Sequence, residues 1–463
     1  MTSGVEASPG APLSVSQTAI EHFRDALAGA LIESRSQEYN TARRVWNASV
    51  DKRPAWIAQC SGASDVVRSV QFARENQLVV AVRGGGHSVA GKSVCDGGLV
   101  IDLSMMKGVQ VDPARRTVIA QPGLRLGELD RQTHVFGLAT PLGIVSDTGV
   151  AGLTLGGGLG WLNGKYGLAC DNLLSAQVVT ADGGVLTASA VENDDLLWGL
   201  RGGGGNFGIV TSFEFSLHPV ESILGGMVVH PISAARDMLR FYAEFSTTCP
   251  DEFSTMAALV TGPDASVAAA MVGCCLGPTE IADNIVRPLR AFGTPSADLF
   301  NCMSFVEMQS LLDGAFPDGN GHYWKASYLR RLRADAIEVL VEQAIAKPSP
   351  LSIIALQHMH GAAARVSGRA TAFPHRQEQF DCLILAQWSD PAEANRNIEW
   401  ARETWERLQP FLDPSVYVNN LGDEGDARIR AAYGANYGQL VSLKMKFDPT
   451  NCFRQNQNVV PRA

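Results

Sequence analysis

His87 closes a run of three glycines in Arg83-Gly84-Gly85-Gly86-His87-Ser88, with a further glycine at Gly91. Glycine has no Cβ, so backbone N–H groups in such a run approach a phosphate closely. The imidazole at its tip is then held beside whatever carries those phosphates. Taken alone, the run reads equally well as a surface turn. A second stretch, Ser146-Asp147-Thr148-Gly149-Val150-Ala151-Gly152 running on to Gly156-Gly157-Gly158 and Gly160, is glycine-rich but interleaved with Ile144, Val145, Leu153, Leu155, Leu159 and Trp161. Linkers are polar and rich in Ser or Pro. An apolar, glycine-rich segment is instead suited to lie flat against a large planar ring.

A third stretch, Arg201-Gly202-Gly203-Gly204-Gly205-Asn206-Phe207-Gly208-Ile209-Val210, contains Gly-x-Gly-x-x-Gly at Gly203, Gly205 and Gly208. A nicotinamide fingerprint needs a strand before it and a helix after it. Here a helical pattern precedes it, at residues 194–200, and a β-rich run follows, at 209–217, so a dinucleotide fold is rejected. His358-Met359-His360 alternates like a strand with both imidazoles on one face. No third ligand is evident, and no metal is expected.

The elements that must carry these residues follow from periodicity. Residues 14–32 read as an amphipathic helix capped by Ser14 or Ser16, and residues 38–60 as loop. A helix from Ser64 to about Asn76 leads to strands at 78–82 and 99–103. Short strands at 109–111 and 117–121 precede a helix at 126–136. Asp182-Gly183-Gly184 is a turn between strands at 176–180 and 185–188. This β-α-β-β order predicts α+β structure. Residues 335–344 and 391–408 are helical by period, and Trp324, Tyr323, Phe305, Met303 and Met308 are candidates to line an apolar pocket.

The 463 residues suggest about two to three domains. A net charge of −9 without a basic block argues against a nucleic-acid partner. The nine cysteines include no Cys-x-x-Cys, so neither a zinc nor a disulfide framework is read, and reduced thiols in a cytoplasm are the expectation. No apolar run of about 18 residues predicts a membrane span. The 46 glycines are about one residue in ten, against an average of roughly 7%, and they cluster where a ligand-cradling backbone would need them.

Together these motifs resemble the berberine bridge enzyme-like flavoprotein oxidases of the wider vanillyl-alcohol oxidase group. Arg83–Ser88 resembles the family's flavin-attachment loop. Tyr166-Gly167-Leu168-Ala169-Cys170-Asp171-Asn172 and residues 202–210 resemble its later FAD segments, and Thr371-Ala372-Phe373-Pro374-His375-Arg376 an internal one. Tyr433-Gly434, Leu440, Lys444, Phe447-Asp448-Pro449-Thr450-Asn451-Cys452-Phe453 and Asn456-Gln457-Asn458 resemble its closing signature. The resemblance covers nearly the whole chain. It implies an α+β fold: a p-cresol methylhydroxylase-type FAD-binding domain with an inserted antiparallel-sheet substrate domain. The parts would be an N-terminal helix at 1–35, the FAD domain at 36–220, the substrate domain at 221–416 and a C-terminal segment at 417–463 completing the FAD domain. FAD contacts would come from Arg83, Gly84, Gly85, Gly86, His87, Ser88 and Gly91, then Ser146, Thr148, Gly149, Gly152, Gly157 and Gly160, then Gly208, Ile209 and Val210, and finally Asn456 and Asn458. The resemblance implies covalent FAD attachment through His87. Many relatives carry a second tether on a Cys whose place Val145 takes here, so one tether is expected, with Cys170 a small buried filler.

Relatives pass a hydride from a C–H bond to the flavin, helped by a base. Leu383 stands where that base is often found, and Asn420 where a second polar group ends a Tyr-x-Asn-(Tyr or His) motif; Asn420 hydrogen-bonds but is no base. Tyr417, Lys325 and His375 remain as candidates, with Tyr417, Asn420 and Lys325 preferred. The resemblance implies oxidation of an alcohol or amine carbon of a small metabolite, with O2 reduced to H2O2 and Thr148 placed to gate oxygen. A dehydrogenase with another acceptor and a silent flavin-fold binding protein stay open. Val89, Val145, Leu383 and Asn420 replace more polar or reactive groups of relatives, which favours a bulky, largely apolar substrate over a simple sugar.

Overall fold

Strand Val80–Arg83 runs parallel to Leu99–Asp102, and Arg83 ends it directly before the first glycine loop. In a computed structural model that describes residues 15–220 and 222–462, this pair belongs to a four-stranded sheet. Its order is Ala30–Glu33, Trp56–Gln59, Leu99–Asp102, Val80–Arg83, with only the first pair antiparallel. A five-stranded antiparallel sheet follows: Val109–Asp112, Thr117–Ala120, Ile209–Ser216, Leu173–Val179, Val185–Ser189. Helices Gln17–Ala26 and Ala63–Glu75 share a core with both sheets, in which Phe23 stacks on Phe72 beside Val66, Ile101, Val179 and Ile209.

The helix expected at 14–32 ends at Ala26, with Ser16 accepting the Ala19 N–H as its cap. Ser14 lies outside the described residues. The Asp65 carboxylate accepts the N–H groups of Ala28 and Gly29 at 2.9 and 3.0 Å and turns the chain into an edge strand. Gly29 packs so tightly on the Gln59 carbonyl that a side chain has no room there, so strand pairing overrides the helical period. The same pairing makes a strand of residues 56–59, which read as loop from composition.

An eight-stranded antiparallel sheet occupies much of residues 223–388. Its main path runs Ile223–Pro231, Val267–Leu276, Phe253–Thr261, Ile353–Met359, Gln379–Trp388, Gly321–Leu329. Both faces are buried, so the strands read as near-continuous apolar runs without alternation. Helices Ala235–Ser246, Thr279–Ala291, Ala334–Ala346 and Ala394–Leu408 cover one face over Ile354, Leu356, Cys382 and Ile384. The opposite face presents Met256, Ala258, Ala355, Leu383 and Leu385 toward the glycine loops.

After residue 417 the chain returns beside the glycine loops. Helix Tyr437–Phe447 packs on helix Asp194–Leu200. Lys444 is fully buried there and donates to Asp448 at 2.7 Å and to the carbonyls of Asn206 and Phe453 at 2.9 Å each. A buried ammonium is tolerated only when such partners surround it. That is why Lys444, Asp448 and the 202–210 loop occur together in one sequence.

Candidate active site

The two glycine loops touch. A Cβ placed on Gly149 would lie 2.6 Å from the Gly85 nitrogen, so each loop needs glycine where it crosses the other. Around this crossing opens a cavity of about 570 Å³. One wall consists of Gly84, Gly85, Gly86, His87 and Ser88, then Thr148, Gly149 and Gly152, then Gly208, Ile209 and Val210, with Asn456 at its edge. The other wall is the helix-free face of the large sheet, with Met227, Met256, Val260, Val272, Trp324, Ile353, Leu383 and Leu385.

His87 is held rigidly in this wall. Its imidazole stacks on Trp46 at 4.1 Å and 17°, and Trp46 stacks on His322 at 3.8 Å. The Trp46 indole N–H donates to the Phe316 carbonyl at 3.1 Å, which fixes the ring between the two histidines. Burial pushes the His87 pKa down to about 4, so the ring is neutral at pH 7. Its Nε2 is buried and meets no protein partner. An unpartnered buried nitrogen is costly unless something outside the chain takes it up.

Several residues expected at the cofactor do other work. Arg83 turns away from the cavity, paired twice with Asp102 at 2.6 and 3.1 Å and bonded to the carbonyls of Ala42 and Arg44, so it anchors the loop rather than lining it. Ser146 donates from N and Oγ to Asp313 at 2.8 and 2.6 Å. Gly91 packs against Val50, Gly157 against the Phe373 ring and Gly160 against the Leu142 carbonyl, each too closely for a side chain. Asn458 does not line the cavity, and its buried Oδ1 has no partner. Val89 is buried with its carbonyl on Asn47 and does not line the cavity, whereas Val145 does.

The catalytic candidates separate in the same way. Lys325 shares its strand with Trp324 but points to the opposite face. There it donates to Glu424 at 2.6 Å and lies over the Trp405 ring, on the helix side. His375 bonds the Ala432 carbonyl at 2.8 Å, and Arg376 grips Asp171 through two bonds of 2.7 and 2.6 Å. Two sequence motifs are thus one ion pair, with Cys170 fully buried beside it. The Tyr417 ring lines the cavity, but its oxygen accepts N–H bonds from Gly158 at 2.8 Å, Leu159 at 3.2 Å and Asn419 Nδ2 at 2.7 Å. Asn419 also donates to the Leu153 carbonyl at 3.0 Å, which fixes its amide with nitrogen toward the phenol. Burial holds the Tyr417 pKa up against these donors, so the hydroxyl braces the second glycine loop as a neutral group.

Asn420 and Leu383 both line the cavity, and between them the structure reveals a group the motif reading missed. Asp381 is fully buried on the cavity-facing side of strand Gln379–Trp388, two residues before Leu383. It pairs across the sheet with Tyr328 and Gln357, and Gln357 lines the cavity. Asn420 Nδ2 donates to Asp381 Oδ2 at 2.6 Å, while Oδ1 has no partner. Burial raises the Asp381 pKa to about 7, opposed by the Asn420 bond. The signal for it was a single carboxylate inside the apolar run Phe380–Trp388. Trp46 had no comparable signal in a segment read as loop.

The arrangement suits a large planar ligand with phosphates. Glycine backbone lines one wall, His87 offers a bare nitrogen, and Asn456 at the edge holds a buried oxygen without partner. No helix among the described residues is long and apolar enough to cross a membrane.

Comparison with known proteins gives the same direction. Residues 54–189 match a family model described as FAD binding domain, and residues 416–460 one described as berberine and berberine like. An FAD-linked oxidoreductase of Dictyostelium discoideum is 32% identical over 96% of this chain and 97% of its own. The (R)-6-hydroxynicotine oxidase of Paenarthrobacter nicotinovorans is 30% identical over 95% and 98%. The crystal structure of 6-hydroxy-D-nicotine oxidase from Arthrobacter nicotinovorans superimposes with a TM-score of 0.88 at 28% identity, covering 94% of this chain and 98% of that one.

Proposed function

Because the chain belongs to the berberine bridge enzyme-like FAD-linked oxidoreductases, with their p-cresol methylhydroxylase-type FAD-binding fold, we propose that it oxidises an alcohol or amine carbon of a bulky, largely apolar metabolite and reduces O2 to H2O2. The observation that carries this reading is the single polar corner, Asn420 and Gln357 backed by Asp381, in a sheet wall that is otherwise apolar.

The chemistry FAD supplies when bound is acceptance of a hydride from a substrate C–H and transfer of the two electrons onward. The chain's own residues do the rest. His87, neutral and fixed by Trp46, offers Nε2 as the single covalent tether. The glycine backbone at Gly84–Gly86, Gly149 and Gly152 would hold the cofactor with no Cβ in the way. The ionised Asp381 holds the Asn420 N–H, and amide geometry then turns Asn420 Oδ1 away from Asp381 as an acceptor. A substrate O–H or N–H donates to that oxygen, which orients the adjoining carbon. Asp381, one hydrogen bond behind, strengthens Asn420 as acceptor and favours positive charge growing at the carbon as hydride leaves. The H–C–X–H unit of the substrate, with X oxygen or nitrogen, loses two electrons and two protons to give C=X, and O2 takes them up as H2O2.

A sugar would bring several hydroxyls to a wall of Met, Val, Leu and Trp, and each one left unpaired costs roughly 1–3 kcal/mol. Anaerobic bleaching of the flavin with a panel of polycyclic and aromatic alcohols and amines, alongside glucose and cello-oligosaccharides, tests the substrate class. Reoxidation in air with peroxide assay tests the acceptor. Bleaching by an apolar amine or alcohol with fast reoxidation supports the reading. Efficient turnover of an unmodified oligosaccharide overturns the substrate class, slow reoxidation in air with fast transfer to a quinone overturns the oxidase, and no bleaching at all favours a silent flavin-fold binding protein.

A further inference from the structure

On the helix-covered face of the large sheet, away from the cavity, His358 and His360 stack with ring centroids 4.4 Å apart and planes 2° from parallel. Both are 2% exposed. They stand at the end of strand Ile353–Met359 and just beyond it, and Cys249 approaches them from the loop after helix Ala235–Ser246. One ring nitrogen of each histidine and the Cys249 sulfur all lie within 4.8 Å of one another. Cys249 is the third group that the sequence did not reveal.

Hydrogen-bond partners fix the tautomers. His360 Nε2 faces the Pro250 carbonyl at 3.3 Å, and a carbonyl only accepts, so the proton sits on Nε2. His358 Nε2 faces the Glu378 carboxylate at 3.4 Å, a contact that favours the proton on that nitrogen. Each Nδ1 is then a bare lone pair, and both are buried without any donor. A lone pair shut away from water and left unfilled costs free energy. Imidazoles that ligate a metal have this arrangement: one nitrogen free for the ion, the other N–H given to a carboxylate or a backbone carbonyl. Burial lowers both pKa values, to about 3 for His358, so both rings are neutral at pH 7, the form that ligates.

We propose that Cys249, His358 and His360 form a site for a divalent transition-metal ion, Zn2+ by its ligand chemistry. Two imidazoles and a thiolate suit zinc, which holds nitrogen at about 2.0–2.1 Å and sulfur at about 2.3 Å in a tetrahedron. Reaching those distances asks only for side-chain rotation about a cluster already within 4.8 Å. The Cys249 thiol donates to the Phe253 carbonyl at 3.1 Å and gives up its proton to solvent when the metal–sulfur bond forms. A water fills the fourth position, and the half-buried Cys249 offers the way in. The ion ties residues 249–253 to the end of the central strand and acts as a staple, with no part in the redox chemistry.

The test uses the full-length flavoprotein, stripped with EDTA and dialysed. Titration with ZnCl2 is expected to give one ion per chain, and Co2+ in its place to give thiolate charge-transfer absorption. Cys249→Ala should weaken binding by more than about a hundredfold, beyond the roughly 10–100-fold that loss of an outer partner costs, with flavin content and flavin bleaching unchanged. In the wild type, Zn2+ should slow alkylation of the Cys249 peptide by iodoacetamide but not that of the exposed Cys302. This readout needs no variant and decides the matter if Cys249→Ala misfolds. Absence of stoichiometric Zn2+ binding, or binding that leaves Cys249 alkylation unchanged, overturns the proposal.

Discussion

The His87 imidazole lies flat on the Trp46 indole, 4.1 Å between centroids, and the same indole covers His322 on its other side. The nitrogen proposed as tether is therefore aimed by a residue 41 positions earlier in the chain. Replacing Trp46 with Ala should leave a flavoprotein in which part of the flavin is released on acid precipitation, because the ring gains rotational freedom. His87→Ala should release all of it, and the wild type none. Flavin freed from denatured wild type would sink the covalent tether. Tryptic mass spectrometry should find the adduct on the His87 peptide alone and never on Cys170.

Asp381 titrates near neutrality and acts through Asn420. The ionised form is the one that orients the amide, so kcat/KM should rise as pH increases through about 7. Asp381→Asn removes the charge but keeps the shape. It should lower kcat/KM by about ten- to a hundredfold and flatten that limb of the profile, with the flavin spectrum unchanged. A limb that survives in the variant would assign the titration to another group.

The three donors on Tyr417 make Tyr417→Phe a test of brace against base. Removing the hydroxyl strands two buried backbone N–H groups, at about 1–3 kcal/mol each. The brace predicts a clear fall in thermal midpoint and a kcat within about tenfold of wild type. A kcat loss beyond that at unchanged stability is the signature of a catalytic phenol.

His322 and His358 are buried and neutral, each with pKa lowered to about 3 by burial. Unfolded, each would titrate near about 6.5. Between about pH 6.5 and 4 the unfolded chain thus binds two more protons at these sites. Asp381 works the other way, since its folded pKa of about 7 exceeds the unfolded value near about 3.9, and the folded chain binds one more proton there. His87 and His218, each lowered to about 4 by burial, add to the same side, so the balance favours the unfolded state by more than one proton. Stability should therefore fall on acidification from about pH 6.5 to 4, by at least about 1.4 kcal/mol per pH unit. Urea midpoints of the EDTA-treated protein across that range check the slope; a flat profile contradicts the buried neutral assignment.

Much of the cofactor wall was legible in the sequence because it depends on residues that are neighbours in the chain. Two backbones so close that an added Cβ on one would sit 2.6 Å from the other announce themselves as glycine at Gly85 and Gly149. The order of helix, glycine run and strand around Gly203–Gly208 excluded a dinucleotide fold, and the strand Ile209–Ser216 follows that run as expected. Leu383 and Val145, placed by motif spacing, both line the cavity.

What the sequence could not supply was the sense of each strand's alternation and the partners gathered from far along the chain. Period two says that Trp324 and Lys325 point to opposite faces, but not which face meets the cavity; the covering helices decide that, and they take Lys325. Asp381 became visible only when residue 420 was brought to its carboxylate, Trp46 only when it stacked on His87, and Cys249 only when its loop closed over His358 and His360. Local spacing therefore determined the elements and the glycine cradle, since those rest on backbone sterics between near neighbours. Tertiary packing decided the chemistry of the opposite wall, because burial and long-range pairing, not residue type, fix which polar group is free, which is braced and which holds its proton.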